Sequence, residues 1–339
     1  MEIYHDVDLQ PYNTFGISVR ARQFARIHSQ DDVRELLASG HLHAAPRLVL
    51  GGGSNVLLTR DFPGLVLSIA VTGRRIVSED AEQLVLEVGA GENWHDLVWH
   101  CVDQGWGGIE NLSLIPGLMG AAPIQNIGAY GVELKDVFAY LDAMFVETGE
   151  VQRFHRDDCR FGYRDSVFKR ELKGKVVILR VALHLRKTPH QLVTHYGAVA
   201  TELEKAGKTA PTIRDVSEAV IGIRQSKLPD PAVIGNAGSF FKNPIIDTAK
   251  FAALKEKYPD LPGYPAPEGY TKLPAAWLID RAQWKGKRFG NYGVHDRQAL
   301  VLVNHGGASG QDIYDLSSRI LESVREVYGV ELEREVNII

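Results

Sequence analysis

Residues 50–56 read LGGGSNV. An apolar run, RLVL at 47–50, feeds three successive glycines, and VLL at 56–58 continues as a second strand. A dinucleotide-binding fingerprint has the spacing G-x-G-x-x-G and opens a helix; here the spacing differs and no helical pattern follows. The phosphate-loop pattern G-x-x-x-x-G-K-[ST] is also absent. The turn therefore reads either as a simple hairpin or as a nest of backbone N–H groups for an anion, with Ser54 and Asn55 adding donors. Neither reading supports a Rossmann sheet.

The flanking pattern agrees. SQDDVRELLASG, 29–40, predicts a short helix capped by Ser29, with Val33, Leu36 and Leu37 on one face. FPGLVLSIAV, 62–71, reads as a Pro-Gly turn and a strand. LVLEVGAGENWHDLVWHCVDQG, 84–105, gives a strand, a glycine turn and a helix capped by Asn93 with Trp94, Leu97, Val98, Cys101 and Val102 as its apolar stripe. Residues 137–186 alternate in short strands, a linker and a helix near 213–225 follow, and Ser309 starts a final helix with Ile313, Leu316, Ile320, Val324 and Val327 aligned. VELEREVNII, 330–339, alternates as a strand, with Glu331, Glu333 and Glu335 on one face. Strands and helices do not alternate regularly, so the fold class is α+β.

A second glycine-rich stretch, WGGIENLSLIPGLMGAAPIQNIGAYGVE at 106–133, has little charge and little periodicity. It reads as an ordered, buried loop that lets backbone approach a ligand.

The chain of 339 residues is long enough for two or three domains at about 100–200 residues each. A net charge of −4 gives no basic stripe for nucleic acid. Two cysteines with no CxxC, and histidines without HExxH spacing, suggest neither a disulfide scaffold nor a metal. The N-terminal MEIYHDVDLQ is not a secretory signal, and no apolar stretch reaches the ~20 residues that span a bilayer. The expected location is a reducing cytoplasm.

Three polar residues stand out. Ser239, in GNAGSFFKNP at 235–244, follows a glycine turn, but the nucleophile elbow G-x-S-x-G is absent and S-x-x-K lacks its companion motifs. It reads otherwise as a turn serine bonding its own backbone. Arg164, in RFGYRDS, offers a fork for a carboxylate or phosphate, or is an ion-paired surface arginine. Glu335 reads by periodicity as part of a solvated face.

Together, NTFGI (13–17), LGGGSNVLL (50–58), VGAGENWHDLV (88–98), ENLSLIPGLMGAAPIQNIGAYGVEL (110–134), CRFGYRDSVFK (159–169), KLPDP (227–231), GNAGSFFKNP and LEREV (332–336) resemble, in order and nearly end to end, the UDP-N-acetylenolpyruvoylglucosamine reductases. These are flavoenzymes of peptidoglycan synthesis, also called UDP-N-acetylmuramate dehydrogenases. The resemblance implies a vanillyl-alcohol-oxidase (PCMH-type) FAD-binding fold with subdomains 1–70 and 71–228, a substrate domain 229–318, and residues 319–339 returning to the FAD-binding part. It implies non-covalent FAD held by Gly51, Gly52, Gly53, Ser54, Asn55, Ile115, Pro116, Gly117, Gly120, Ala121, Gln125, Asn126, Ile127, Gly128 and Arg224. Ala121 and Ala122 stand where some relatives carry a serine, so backbone N–H groups must serve there.

The implied reaction has two stages. NADPH reduces FAD and leaves; flavin N5 then passes hydride to the enolpyruvyl ether of UDP-N-acetylglucosamine. Arg164 and Glu335 are implied to stabilise the enolate and Ser239 to protonate it. Tyr130, Tyr163, Tyr196, Lys227, Asn243 and Gln298 are the implied substrate contacts, Tyr196 closing over the UDP moiety as in the longer, type I branch. The phenylalanine pair after Ser239 is expected to shield the site. The expected protein is a monomer with a small-molecule substrate and no nucleic-acid or membrane partner. A flavin oxidase, a colourless serine hydrolase and a nucleotide-sugar binder without catalysis are the rival readings.

Overall fold

A computed structural model describes every residue except Ala45. The chain divides into two compact units. The first comprises Met1–Val7, Ala21–Gly52 and Pro63–Ser226; the second comprises Asp8–Arg20, Gly53–Phe62 and Lys227–Ile339.

In the first unit an antiparallel five-stranded sheet runs in the order Val151–His155, Phe138–Phe145, Val176–Arg186, Gln83–Gly89, Arg74–Glu79. The central strand is VVILRVALHLR, almost wholly buried. A four-stranded sheet orders Ile3–Asp8, Arg20–Ile27, Phe62–Ile69 and Arg47–Leu50, the last two parallel. Antiparallel pairing by hairpins leaves no doubly wound sheet, as the irregular element order predicts.

Local chemistry fixes the helix starts. Ser29 Oγ accepts from Asp32 N–H (3.3 Å) while Asp32 Oδ2 accepts from Ser29 N–H (2.9 Å), opening helix Gln30–Ala38. Asn93 caps Trp94–Asp103 by accepting from Asp96 N–H at 3.1 Å, and all five stripe residues are buried. A fully buried large apolar side chain contributes about 1.5–3 kcal/mol, so this stripe anchors the loops at both ends of the helix. The two cysteines are buried and unbridged, and burial pushes both thiols up to about 12.

The second unit holds a sheet in the order Gly235–Ser239, Val301–Asn304, Tyr292–Val294, Arg288–Phe289, a three-stranded sheet, and helix Gly310–Tyr328. Ser309 and Asp312 form its capping box and Gly329 (φ 63°) ends it in the left-handed region. Asn337–Ile338 pairs in parallel with Val56–Leu57.

The structure departs from the sequence reading at four points. Pro63 and Gly64 lie inside strand Phe62–Ile69 rather than in a turn; the backbone ladder is taken up from Leu65, so proline's missing N–H costs nothing. Val327 is 49% exposed, and the stripe steps four residues from Val324 to Tyr328, which is 5% exposed. A helix at Gly197–Lys205 was not anticipated. Of the final alternating run Asn337–Ile338 is a short strand and Arg334 forms an isolated antiparallel bridge with Phe241, while burial alternates through Val330, Leu332 and Val336. Among the described residues no helix is long and apolar enough to cross a membrane, and no group of three or more His, Cys, Asp or Glu could hold a metal ion.

Candidate active site

In the first unit the two glycine-rich stretches lie on each other. A Cβ on Gly52 would meet Gly117 Cα at 3.1 Å, one on Gly51 would meet Ala121 Cβ at 3.7 Å, and one on Gly120 would meet Ala90 Cβ at 2.7 Å. The loop is stitched to the 89–94 turn: Met119 N–H donates to Glu92 O and Gly120 N–H to Ala90 O, both at 2.8 Å, and Trp94 N–H to Gly117 O at 3.0 Å. The N–H groups of Gly52, Gly117 and Leu118 donate to no protein acceptor among the described residues. A backbone cradle too close for a side chain at Gly52 and Gly120, with uncommitted amides, fits a pyrophosphate-bearing group such as FAD.

Backbone strain concentrates here. Leu114 (φ 58°), Asn126 (φ 43°), Tyr130 (φ 48°) and Arg164 (φ 53°) all occupy the left-handed region that non-glycine residues avoid. Asn126 is fully buried and its amide is spent inside the protein. Nδ2 donates to Glu133 Oε2 (3.0 Å) and Gly162 O (3.1 Å), and Oδ1 accepts from Lys135 N–H (3.0 Å). Ile127 is buried in the core. Both residues therefore have only backbone left to offer a cofactor. Ile115, Gly117, Gly120, Ala121, Gln125 and Gly128 are half-buried along the same loop, and Pro116 is exposed.

Two arginines converge on this loop. Arg164 Nη2 donates to Gly128 O at 2.9 Å, with its guanidinium 5.9 Å from the Tyr163 ring centroid. Arg224 donates from Nε to Leu114 O at 3.2 Å. Burial, and secondarily the Arg164 charge, lowers the Arg224 pKa, while Tyr130 hydrogen-bonds it. Among the described residues no carboxylate pairs with Arg224. Two half-buried cations close enough for one to shift the other are a receptor for an anion. His95 supports the same place: its Nδ1 accepts from Leu114 N–H at 3.0 Å, and burial holds its pKa low. His95 also lines a cleft of about 410 Å³ with Asp96, Trp99, His100, Asp103 and Ile221, which contains none of the residues singled out from sequence.

In the second unit four separated motifs form one network. Thr14 Oγ1 donates to Asn236 O (2.6 Å) and Gly53 O (3.3 Å). Gly53 (φ 61°) admits no side chain, since a Cβ would sit 2.1 Å from Tyr12 O. Asn236 is buried, donates to Ile234 O at 2.8 Å and accepts from Gly238 N–H at 3.0 Å, which shapes the bulge before Ser239. Glu335 N–H donates to Phe240 O at 2.8 Å, and Asn55 Nδ2 donates to Glu335 O at 3.4 Å. Ser239 and Glu335 are thus brought together by the residue between them. The Ser239 hydroxyl has no hydrogen-bond partner among the described residues, so it is neither bonded to its own backbone nor coupled to a histidine.

Glu335 is half-buried while Glu331 and Glu333 are exposed, so the solvated-face reading holds only for those two. Its neighbour Arg334 is pinned to helix Gly310–Tyr328. Nε donates to Ser317 Oγ (2.8 Å), Nη2 to Ser318 Oγ (2.6 Å), and the guanidinium lies 4.5 Å from the Tyr314 centroid. Phe240 and Phe241 are 0% and 1% exposed; they are core, not a shield, because the strand turns both into the packed interior beside Phe15. Asn243 Oδ1 accepts from Ala275 N–H at 2.9 Å, and Gln298 Oε1 from Leu300 N–H at 3.4 Å. Lys227 ends helix Ile213–Lys227 and is exposed; Ser54 and Asn55 are half-buried. Thr14 and Asn236 lie in quoted motifs, yet sequence alone gave neither a task, since their partners are far away in the chain.

Comparison with known proteins follows the same division. The C-terminal domain model of UDP-N-acetylenolpyruvoylglucosamine reductase matches residues 230–339, and an FAD-binding domain model matches residues 21–155. The chain is 53% identical to UDP-N-acetylenolpyruvoylglucosamine reductase of Pseudomonas fluorescens, covering 99% of each chain. It is 54% identical to that of Pseudomonas aeruginosa, over 100% of this chain and 99% of the other. The crystal structure of UDP-N-acetylenolpyruvylglucosamine reductase from Thermus caldophilus is similar in fold, with a TM-score of 0.69 at 23% identity over 99% of this chain and 98% of that one.

Proposed function

Because the chain belongs to the UDP-N-acetylenolpyruvoylglucosamine reductase family and is an FAD-binding oxidoreductase of α+β fold, we propose that it uses NADPH to reduce the enolpyruvyl ether of UDP-N-acetylglucosamine to UDP-N-acetylmuramate. It does so in the cytoplasm, as a monomer. FAD contacts fall to residues 1–70 and 71–228 and substrate support to 229–318, with 319–339 returning to the FAD-binding part.

Bound FAD supplies hydride transfer from NADPH to the methylene carbon of the substrate. The residues of the chain handle the charge and the proton. Hydride addition pushes an electron pair toward the substrate carboxylate, and Arg164 holds that carboxylate and opposes the growing charge. Ser239 gives its hydroxyl proton to the adjacent carbon, and Glu335 shares a hydrogen bond or proton with the same group. The observation that carries this reading is the Ser239 hydroxyl, without a hydrogen-bond partner among the described residues, while the Glu335 main chain is tied to Phe240, the residue that follows Ser239. The strained Arg164 and the half-buried Arg224, which pairs with no carboxylate among the described residues, support an anionic substrate or cofactor beside the loop. Tyr130, Tyr163, Tyr196, Lys227, Asn243 and Gln298 bind the substrate in this reading. Gly51, Gly52, Gly53, Ser54 and Asn55 hold FAD together with Arg224 and the 115–128 loop.

The test is spectroscopic. The yellow protein should bleach with NADPH under anaerobic conditions and regain colour when the enolpyruvyl substrate is added. Flavin that stays reduced with that substrate, or that reoxidises only in air, would overturn the proposal.

A further inference from the structure

Asn111 has been given no role so far. It lies in the short turn Glu110–Leu112, is 1% exposed, and spends both amide hydrogens on two different segments. Nδ2 donates to Tyr130 O at 3.0 Å and to Val193 O at 2.8 Å. We propose that Asn111 is a positioning residue that latches the segment carrying Tyr196 onto the Tyr130 turn, and so sets the affinity for the UDP-sugar substrate without touching it. The inference rests on reading Tyr130 and Tyr196 as substrate contacts.

Three observations converge. Tyr130 and Gly131, both at positive φ (48° and 86°), form the two-residue turn between Gly128–Ala129 and Val132–Glu133. Val193 packs on that turn, since a Cβ on Gly131 would lie 3.0 Å from Val193 Cγ1. Beyond Val193 the Tyr196 ring, half exposed, meets Tyr130 edge to face at 5.6 Å and 89°. The His190 ring nitrogen bonds Gly105 O at 2.9 Å and fixes the start of the segment; Val193 is the last hydrogen-bonded point before Tyr196.

Leu192 and Val193 pack at the edge of the main core, but from Tyr196 onward the support is thinner. Helix Gly197–Lys205, which it leads into, rests on a satellite core of five buried residues, Val199, Leu203, Val216, Val220 and Ile223. A segment with so small a buried core opens at low cost, so two hydrogen bonds from a fixed amide weigh heavily. The Oδ1 of Asn111 is buried and accepts no hydrogen bond among the described residues. An orphaned buried oxygen is unfavourable, and an apolar side chain would avoid it. The asparagine is therefore there for its two donors.

The experiment compares Asn111→Leu, Tyr196→Ala and the double variant as FAD-loaded enzymes. Asn111→Leu should raise the substrate KM about tenfold with kcat changed less than about twofold, as loss of uniform binding does. Flavin absorbance per chain should not change, and amide exchange at 192–196 should accelerate in the substrate-free protein. In the Tyr196→Ala background Asn111→Leu should add nothing further to KM. If Tyr196→Ala leaves KM unchanged, the substrate reading of Tyr196 fails and the latch with it. If Tyr196→Ala raises KM but Asn111→Leu does not, or if the two effects multiply, the latch alone is overturned. Should Asn111→Leu not fold, Val199→Ala thins the same support and must give the same KM-selective loss; an unchanged KM there overturns the proposal.

Discussion

The loop at 114–131 and the strip around Ser239 hold their residues in different ways. In the loop, side chains are committed inward. Asn126 is saturated, Ile127 is core, and the backbone passes through left-handed conformations at Leu114, Asn126 and Tyr130, while the N–H groups of Gly117 and Leu118 donate to no acceptor among the described residues. In the strip, the backbone is bonded through Thr14, Asn236, Asn55 and Phe240, and the Ser239 hydroxyl has no hydrogen-bond partner among the described residues. On the proposed reading, the contrast teaches that binding a large cofactor and delivering a proton ask for opposite things. The first needs rigid main chain with little side chain, the second a rigid frame around one reactive group.

The comparison can be broken most sharply at Ser239. Ser239→Ala should leave flavin reduction by NADPH in place while slowing the substrate-dependent reoxidation by about 10²–10⁴-fold, read by stopped-flow absorbance. Equal losses in both halves would mean that the strip, too, is mainly a binding frame.

A smaller effect is expected in the cradle. Gly52→Val drives side-chain atoms against Gly117 Cα, from a Cβ position already at 3.1 Å, and overpacking of this kind costs about 1–3 kcal/mol. Flavin affinity should fall by about 10- to 100-fold in a titration. Gly222→Ala, on a helix with nothing within 4 Å of its Cβ, should not change it. Undiminished flavin binding in Gly52→Val would show that this close approach does not hold the flavin.

The smallest effect concerns His95. Its pKa is held below the usual 6.5 by burial, and its neutral Nδ1 accepts from Leu114 N–H. As pH falls, the unfolded chain takes up the proton first, so the stabilising contribution is complete above 6.5 and fades below it. The melting temperature should therefore drop between about pH 7 and about pH 5, and drop less in His95→Gln. The difference between the two profiles is the measurement, because His295 and His305 are also held low and titrate in the same window.

Much of the frame was legible because its causes are local. Ser29, Asn93 and Ser309 cap helices through partners three residues away, and apolar stripes repeat at helical spacing. Helix Gly197–Lys205 was not legible: it begins after Tyr196 with no side-chain cap and buries only Val199 and Leu203. Val327 was misassigned because the stripe takes a four-residue step where a three-residue one also fits. At the candidate site, the glycines could be read as close approach of backbone. That the Asn126 amide is spent internally, that Phe240 and Phe241 are core, and that Thr14 ties Gly53 to Asn236 are facts of tertiary contact that no spacing encodes.

The second unit is discontinuous: residues 8–20 and 53–62 are built into the same body as 227–339. The bond from Thr14 to Asn236 spans 222 residues and that from Asn55 to Glu335 spans 280. Contacts of such sequence separation close large loops and form late during folding. A chain cut at residue 226 would separate Thr14, Gly53 and Asn55 from the main chain of Asn236 and Glu335 that they hold, so neither fragment carries the complete strip around Ser239. In this protein the frame around Ser239 draws on distant parts of the chain, and no contiguous stretch encodes it alone.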